Sequence, residues 1–200
     1  ILASLAVFRP RLQQMLLGLG TRGNRDYLAR LAVAFLITAV GGLVAKQAGL
    51  ELPETVAPVA AALIIGGVAM LLIERLIAGR PVMTEVTWSV AIWVGSCQIL
   101  AAVFPGTSRS AATIFAAMLA GLTARPAATE FAFLVGIPAM FAATAYEFLK
   151  LHASATPAAR EDWPAFAVAF VVSAVVAFVA VKWLLRYVQT HRFTVFAWYR

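Results

Sequence analysis

The chain has 200 residues, 62% of them hydrophobic and 12% charged, with a formal net charge of +7 and a mean hydropathy of +0.89. A soluble domain has about 45–50% apolar and about 25% charged residues, so this composition excludes a water-soluble globule and points to an all-α polytopic membrane protein. The positive charge reads as basic loops beside anionic lipid, not as a nucleic-acid surface, and one cysteine, Cys97, excludes an intrachain disulfide.

In chain order, residues 1–8 are apolar but too short to span, and Arg9-Pro10-Arg11 should stop that segment. Up to Arg30 the chain reads as a basic loop around Gly18, Gly20 and Gly23, with a short amphipathic helix at 12–19. The first complete span is 31–49, with Lys46 able to snorkel near its end. A turn at 51–54 and a cap at Thr55 introduce a second span, 55–73, whose Gly66-Gly67 pair suits close helix packing. A loop from Glu74 to Glu85 leads to a third span, 86–104, broken by Pro105-Gly106. Segment 110–121 is apolar and helical in pattern, but at about 1.5 Å per residue it covers only about 18 Å of an about 30 Å hydrocarbon core. It therefore reads as a short re-entrant-type helix. Thr123 should cap the next helix, with Pro126 in its first turn. A fourth long span follows at 130–148, then a loop at 150–162 and a fifth span at 163–181. Residues 193–200 read as the start of another helix. The expectation is thus about five long spans plus the short helix, in a single integral membrane domain over 1–200 whose two ends look truncated.

Alternating these spans puts the arginines between Arg9 and Arg30, Arg75, Arg80, Arg125, Lys182, Arg186 and Arg192 on one side, and Lys46, Lys150 and Arg160 on the other. By the positive-inside rule the first side is cytoplasmic. The loop Phe104-Pro-Gly-Thr-Ser-Arg-Ser110 then lies toward the outer side, in a cavity between helices, because non-helical backbone at membrane depth needs protein or water around it.

Arg109 stands alone in an apolar setting, and an intramembrane ionisable residue is a functional-site signal. Pro105 and Gly106 bend the chain, and Gly106 leaves room for a ligand. Ser108 and Ser110 stand at a helix N-terminus, where free N–H groups and the dipole favour an anion. Arg109 offers a planar fork for two phosphate oxygens, and Thr107, Ser108 and Thr113 offer hydroxyls. The alternative is that a serine only caps the helix while Arg109 snorkels or pairs with a carboxylate. Gln98 faces the same cavity or makes an interhelical hydrogen bond. Glu130 serves the helix dipole or pairs with Arg109 or Arg125. No catalytic base is evident.

The run from Gln98 through Pro105-Gly-Thr-Ser-Arg-Ser110 and Thr113, then Arg125-x-x-Ala-x-Glu130-Phe-x-Phe133 and Ile137-Pro138, resembles the undecaprenyl pyrophosphate phosphatase family, membrane enzymes linked to bacitracin resistance. The pattern Phe-x-x-Phe-Ala-x-Tyr-Arg at 193–200 extends the resemblance to the end of the chain. It implies hydrolysis of undecaprenyl pyrophosphate to the monophosphate and inorganic phosphate, which recycles the lipid carrier for peptidoglycan synthesis. It further implies a divalent cation (Mg or Ca), a bacterial plasma-membrane location with the site open to the periplasm, and two inverted halves of which one half-site is complete here. A homodimer is a possible assembly. Arg109 takes the place of the phosphate-binding arginine, and Ser108 and Ser110 of its flanking serines. Two departures stand out: Ala111 occupies a position commonly glycine, and the family's Glu-rich signature with Pro, paired Ser and His would precede Ile1. A lipid-phosphate transporter or flippase would use the same loop without cleavage, since broken helices and midplane anion sites are also transporter features.

Overall fold

The structure, a computed structural model, describes residues 1–50, 55–153 and 163–200. The expected turn at 51–54 and the loop residues 154–162, with Arg160, lie outside the described residues. The described residues form eight helices: α1 (Leu2–Leu17), α2 (Arg22–Gln47), α3 (Val56–Ile77), α4 (Trp88–Val103), α5 (Arg109–Leu119), α6 (Arg125–Ala153), α7 (Trp163–Thr190) and α8 (Thr194–Tyr199).

Four of these, α2, α3, α6 and α7, are long and apolar enough to cross a membrane. The expectation of about five long spans is corrected at α4. The apolar run 86–104 gives a helix of 16 residues, about 24 Å at about 1.5 Å per residue. Its start is fixed by Thr87, whose hydroxyl accepts from the Val90 N–H at 3.3 Å. Its end is fixed by the Pro105-Gly106 turn.

The basic loop expected over 9–30 is also corrected. Pro10 does not stop α1, which runs through it to Leu17. Pro10 lies on the exposed face, so the carbonyl it leaves unpaired is not enclosed by protein. On the opposite face Phe8 and Met15 pack with Leu134 and Ile137 of α6. The connection shrinks to residues 18–21. There the Asn24 amide donates to Met15 O at 2.6 Å, satisfying a carbonyl of the last turn of α1. Thr55 occupies the N-cap position of α3 but makes no capping bond. Thr123 does not cap α6 either: its hydroxyl donates to Pro81 O at 2.6 Å and accepts from Met83 N at 2.7 Å.

That stitch matters for the site. It joins the start of the α4 approach to the end of α5, so α4 and α5 form a hairpin whose tip is the 104–108 loop. α5 is wrapped by α3, α4 and α6, and Thr113 to Met118 are buried in succession. Against α2, the hairpin is held by close approach at Gly95, where an added Cβ would stand 2.7 Å from Ala34 O and 2.9 Å from the Ile37 Cβ. Gly95→Ala is therefore expected to cost about 1–3 kcal/mol through overpacking. Gly136→Ala, at a position with nothing within 4 Å, should be neutral or stabilising. Thermal unfolding of the two variants in detergent checks the contrast.

The Gly66-Gly67 pair does mediate close packing, and its partner is α8. A Cβ on Gly67 would lie 2.8 Å from Ala197 O, and one on Gly66 would lie 3.0 Å from the Arg200 guanidinium.

Candidate active site

Phe104 to Thr107 form a turn closed by Thr107 N–H donating to Phe104 O at 3.4 Å. Proline at its second position and glycine with positive φ at its third are the signature of a type II turn. Gly106 has φ +88, and a Cβ there would lie 2.7 Å from Val59 O, so both conformation and space demand glycine. Ser108 also has positive φ, at 58, an uncommon state for a side-chain-bearing residue that tends to mark functional sites. Ser108 is the N-cap of α5: its hydroxyl accepts from Ala111 N–H at 3.4 Å and lies 3.5 Å from the Ser110 hydroxyl. The first turn of α5 carries no acidic residue, so its positive end is not neutralised locally.

Along α3 the loop packs against Val59 and Ala62, within two turns of Val56. Glu74, at the other end of α3, pairs with Arg125. The 15 residues from Val59 to Glu74 correspond to about 22 Å of helix. The loop thus sits just inside one end of α3, with the Glu74–Arg125 pair at the other.

Arg109, exposed, lines a cavity of about 420 Å³ bordered by α2, α4 and α6. Its polar lining also includes Thr38, Lys46, Gln98 and Glu147. Gln98 fulfils both readings at once. It is buried, faces this cavity, and its amide oxygen accepts from the Thr38 hydroxyl at 3.0 Å. Lys46 pairs across the cavity rim with Glu147 at 3.1 Å and lies 4.0 Å from the Tyr146 ring centre. Neither member of this pair was singled out by sequence for the site. The usable signal was an acid, Glu147, inside an apolar run. None of the ion pairs among the described residues uses Arg109. The alternative in which a carboxylate neutralises Arg109 is therefore not what the fold builds.

Other candidates are placed elsewhere. Thr113 is buried, and its hydroxyl donates to Arg109 O at 2.9 Å or Ser110 O at 3.1 Å within α5. Thr107 borders a second, apolar cavity of about 380 Å³ between α3, α4 and α5, as do Cys97 and Arg200. Glu130 pairs with neither Arg109 nor Arg125 but with Arg11 of α1 at 2.7 Å. It lies nine residues before Ala139 of the cavity wall, about 14 Å along α6, so the fold does not bring it to Arg109.

Among the described residues no three His, Cys, Asp or Glu side chains cluster as a metal site. Among the described residues the one carboxylate lining the Arg109 cavity, Glu147, is engaged by Lys46. A hard divalent cation takes several oxygen ligands, so these residues do not by themselves form its cage.

A short helical hairpin packed among helices long and apolar enough to cross a membrane defines a polytopic membrane protein. The chain belongs to the bacitracin resistance protein BacA family, whose sequence profile matches residues 1–200. It is similar to proteins named undecaprenyl-diphosphatase in several bacteria. The one from Stenotrophomonas maltophilia (strain K279a) is 60% identical over 200 residues, which cover 100% of this chain and 75% of that protein. Those from Rhizobium etli (strain ATCC 51251) and Xanthomonas axonopodis pv. citri (strain 306) are 59% and 54% identical over the same 200 residues, again 75% of each relative.

Proposed function

We propose that the protein carrying this chain hydrolyses undecaprenyl pyrophosphate to undecaprenyl phosphate and inorganic phosphate, recycling the lipid carrier of cell-wall synthesis, and that residues 1–200 alone are inactive or nearly so. The observation that carries the reading is Arg109, a guanidinium with no carboxylate partner among the described residues, at the N-terminus of α5 and on a cavity wall. Family membership supplies the substrate. Arg109 and the first amides of α5 hold phosphate oxygens and stabilise charge as the phosphoanhydride breaks, a reaction in which positioning and electrostatics dominate. The Ser108 and Ser110 hydroxyls border the same anion.

In this reading the α4–α5 hairpin is re-entrant, enters from the cytoplasmic face and opens its tip to the periplasm. The chain then carries one complete half-site of an inverted pair in a bacterial plasma membrane. Opposite ends of α3 for the loop and the Glu74–Arg125 pair support this orientation. A cysteine placed at Thr107 should react with a membrane-impermeant thiol reagent from the periplasmic side.

The deciding measurement is phosphate release from undecaprenyl pyrophosphate by the protein carrying this chain, in detergent. Detergent removes the two compartments, so release supports a hydrolase, whereas binding without release supports a lipid-phosphate transporter. Cation dependence belongs to the same proposal: EDTA should abolish release and Mg²⁺ or Ca²⁺ restore it. A rate indifferent to chelation would remove the cation from the reaction.

A further inference from the structure

Arg200 enters none of the roles above, yet its guanidinium reaches back to the catalytic loop. It donates to Gly106 O, and to Thr107 O at 3.3 Å. Its seat is Gly66, where a Cβ would stand 3.0 to 3.3 Å from the guanidinium atoms. Gly66 is the eleventh of the 22 residues of α3, counting from Val56. A cation at the middle of a membrane-crossing helix is costly and is retained for a purpose. No ion pair among the described residues uses Arg200, so the loop carbonyls are what it serves.

Val59, Ala62 and Gly66 form one stripe of α3, at spacings of three and four residues. Val59 and Ala62 meet Gly106, and Gly66 meets Arg200. The loop is therefore gripped on two sides. α3 presses against Gly106, and the guanidinium holds its carbonyl and the next one. A planar fork can satisfy two adjacent carbonyls where an ammonium is only a point charge. The segment so held runs directly into Ser108, with its positive φ, and Arg109. Arg200 faces the cavity between α3, α4 and α5, and Arg109 faces the one that also holds Lys46, Gln98 and Glu147, so the two arginines approach opposite sides of the loop.

We propose that Arg200 is a positioning residue for the hydrolysis: it fixes the Gly106–Thr107 backbone so that Ser108, Arg109 and the start of α5 point into the Arg109 cavity. It acts through the loop and does not contact the phosphate. The proposal rests on the hydrolase reading for its kinetic arm only.

The test uses the protein carrying this chain, purified in detergent, as wild type, Arg200→Ala, Arg200→Lys and Arg109→Ala. Misplacement of a reacting group by about 1 Å can cost about 10²-fold. Arg200→Ala should accordingly lose about tenfold to 10²-fold in kcat with KM changed less than about threefold. Arg200→Lys should recover part of the loss. Hydrogen exchange at the amides of residues 107–112 should accelerate in Arg200→Ala, with the rest of the protein unaffected and Arg109→Ala showing no such change. An unchanged kcat and unchanged loop exchange in Arg200→Ala overturns the proposal. So does a raised KM with kcat intact, which would make Arg200 a substrate contact, or exchange that accelerates throughout the chain, which would make it a structural residue. Absence of phosphate release by the wild type would sink the hydrolase reading instead, and the exchange arm would still read the grip of Arg200 on the loop.

Discussion

Arg109→Ala in the protein carrying this chain is expected to lower phosphate release from undecaprenyl pyrophosphate by about 10²–10³-fold, the scale for removing one preorganised charge-stabilising group. The guanidinium is exposed on the cavity wall and pairs with no carboxylate among the described residues. Its removal therefore leaves no orphaned partner, and the unfolding temperature should barely move. If Arg109 holds charge that develops as the bond breaks, kcat and kcat/KM should fall together. Arg109→Lys keeps the charge but loses the fork, and should recover only part of the rate. Normal hydrolysis by Arg109→Ala would refute the assignment of the site.

Glu74→Ala should be the most destabilising of the changes considered, by about 3 kcal/mol, the low end for breaking a buried pair, because the partner it strands, Arg125, keeps 25% of its side chain exposed. Glu74 is 4% exposed. Its carboxylate accepts from Arg125 Nε at 3.0 Å and Arg125 Nη2 at 2.6 Å, and from the Phe193 N–H at 3.0 Å. One side chain thus joins the end of α3 to the start of α6 and to the turn before α8. Arg125→Ala should cost a similar amount by stranding Glu74. Replacing both by Leu and Met should restore much of the loss, since apolar replacement of a buried pair is often near neutral. Unfolding in detergent reads all three. A loss below about 1 kcal/mol for Glu74→Ala would mean that the pair is solvated, as surface pairs are. Because α8 carries Arg200 to the loop, this distant pair also bears on the site's geometry.

The Glu74 pair shows where sequence reasoning fell short. Glu74 reads as the first residue of a loop, yet it lies in the last turn of α3 and is buried. The same holds for Lys46 with Glu147, Arg11 with Glu130, and Arg200 with the loop: 101, 119 and about 94 residues separate the partners. A charge inside an apolar run signals that a partner is needed. It does not say which one, because the choice depends on how helices far apart in the chain are arranged. α4 and α1 fail for a related reason. Apolar composition sets where a helix can be, while a cap at Thr87, or packing of Phe8 and Met15 beside Pro10, sets where it begins and continues.

The sequence by itself determined the membrane class, the position of the 104–110 loop and the helix start that follows it. Each of these is local: length of apolar run, the proline–glycine turn, and serine at an N-cap. It also carried the family resemblance that the comparisons bear out. Only the tertiary structure decided that Gln98, Lys46 and Glu147 join Arg109 around one cavity, that Glu130 does not, and that Arg200 holds the loop from behind. Those relations arise from the packing of α2, α3, α6 and α8 around the α4–α5 hairpin, and packing is a property of helix surfaces in contact, which no single stretch of the chain contains.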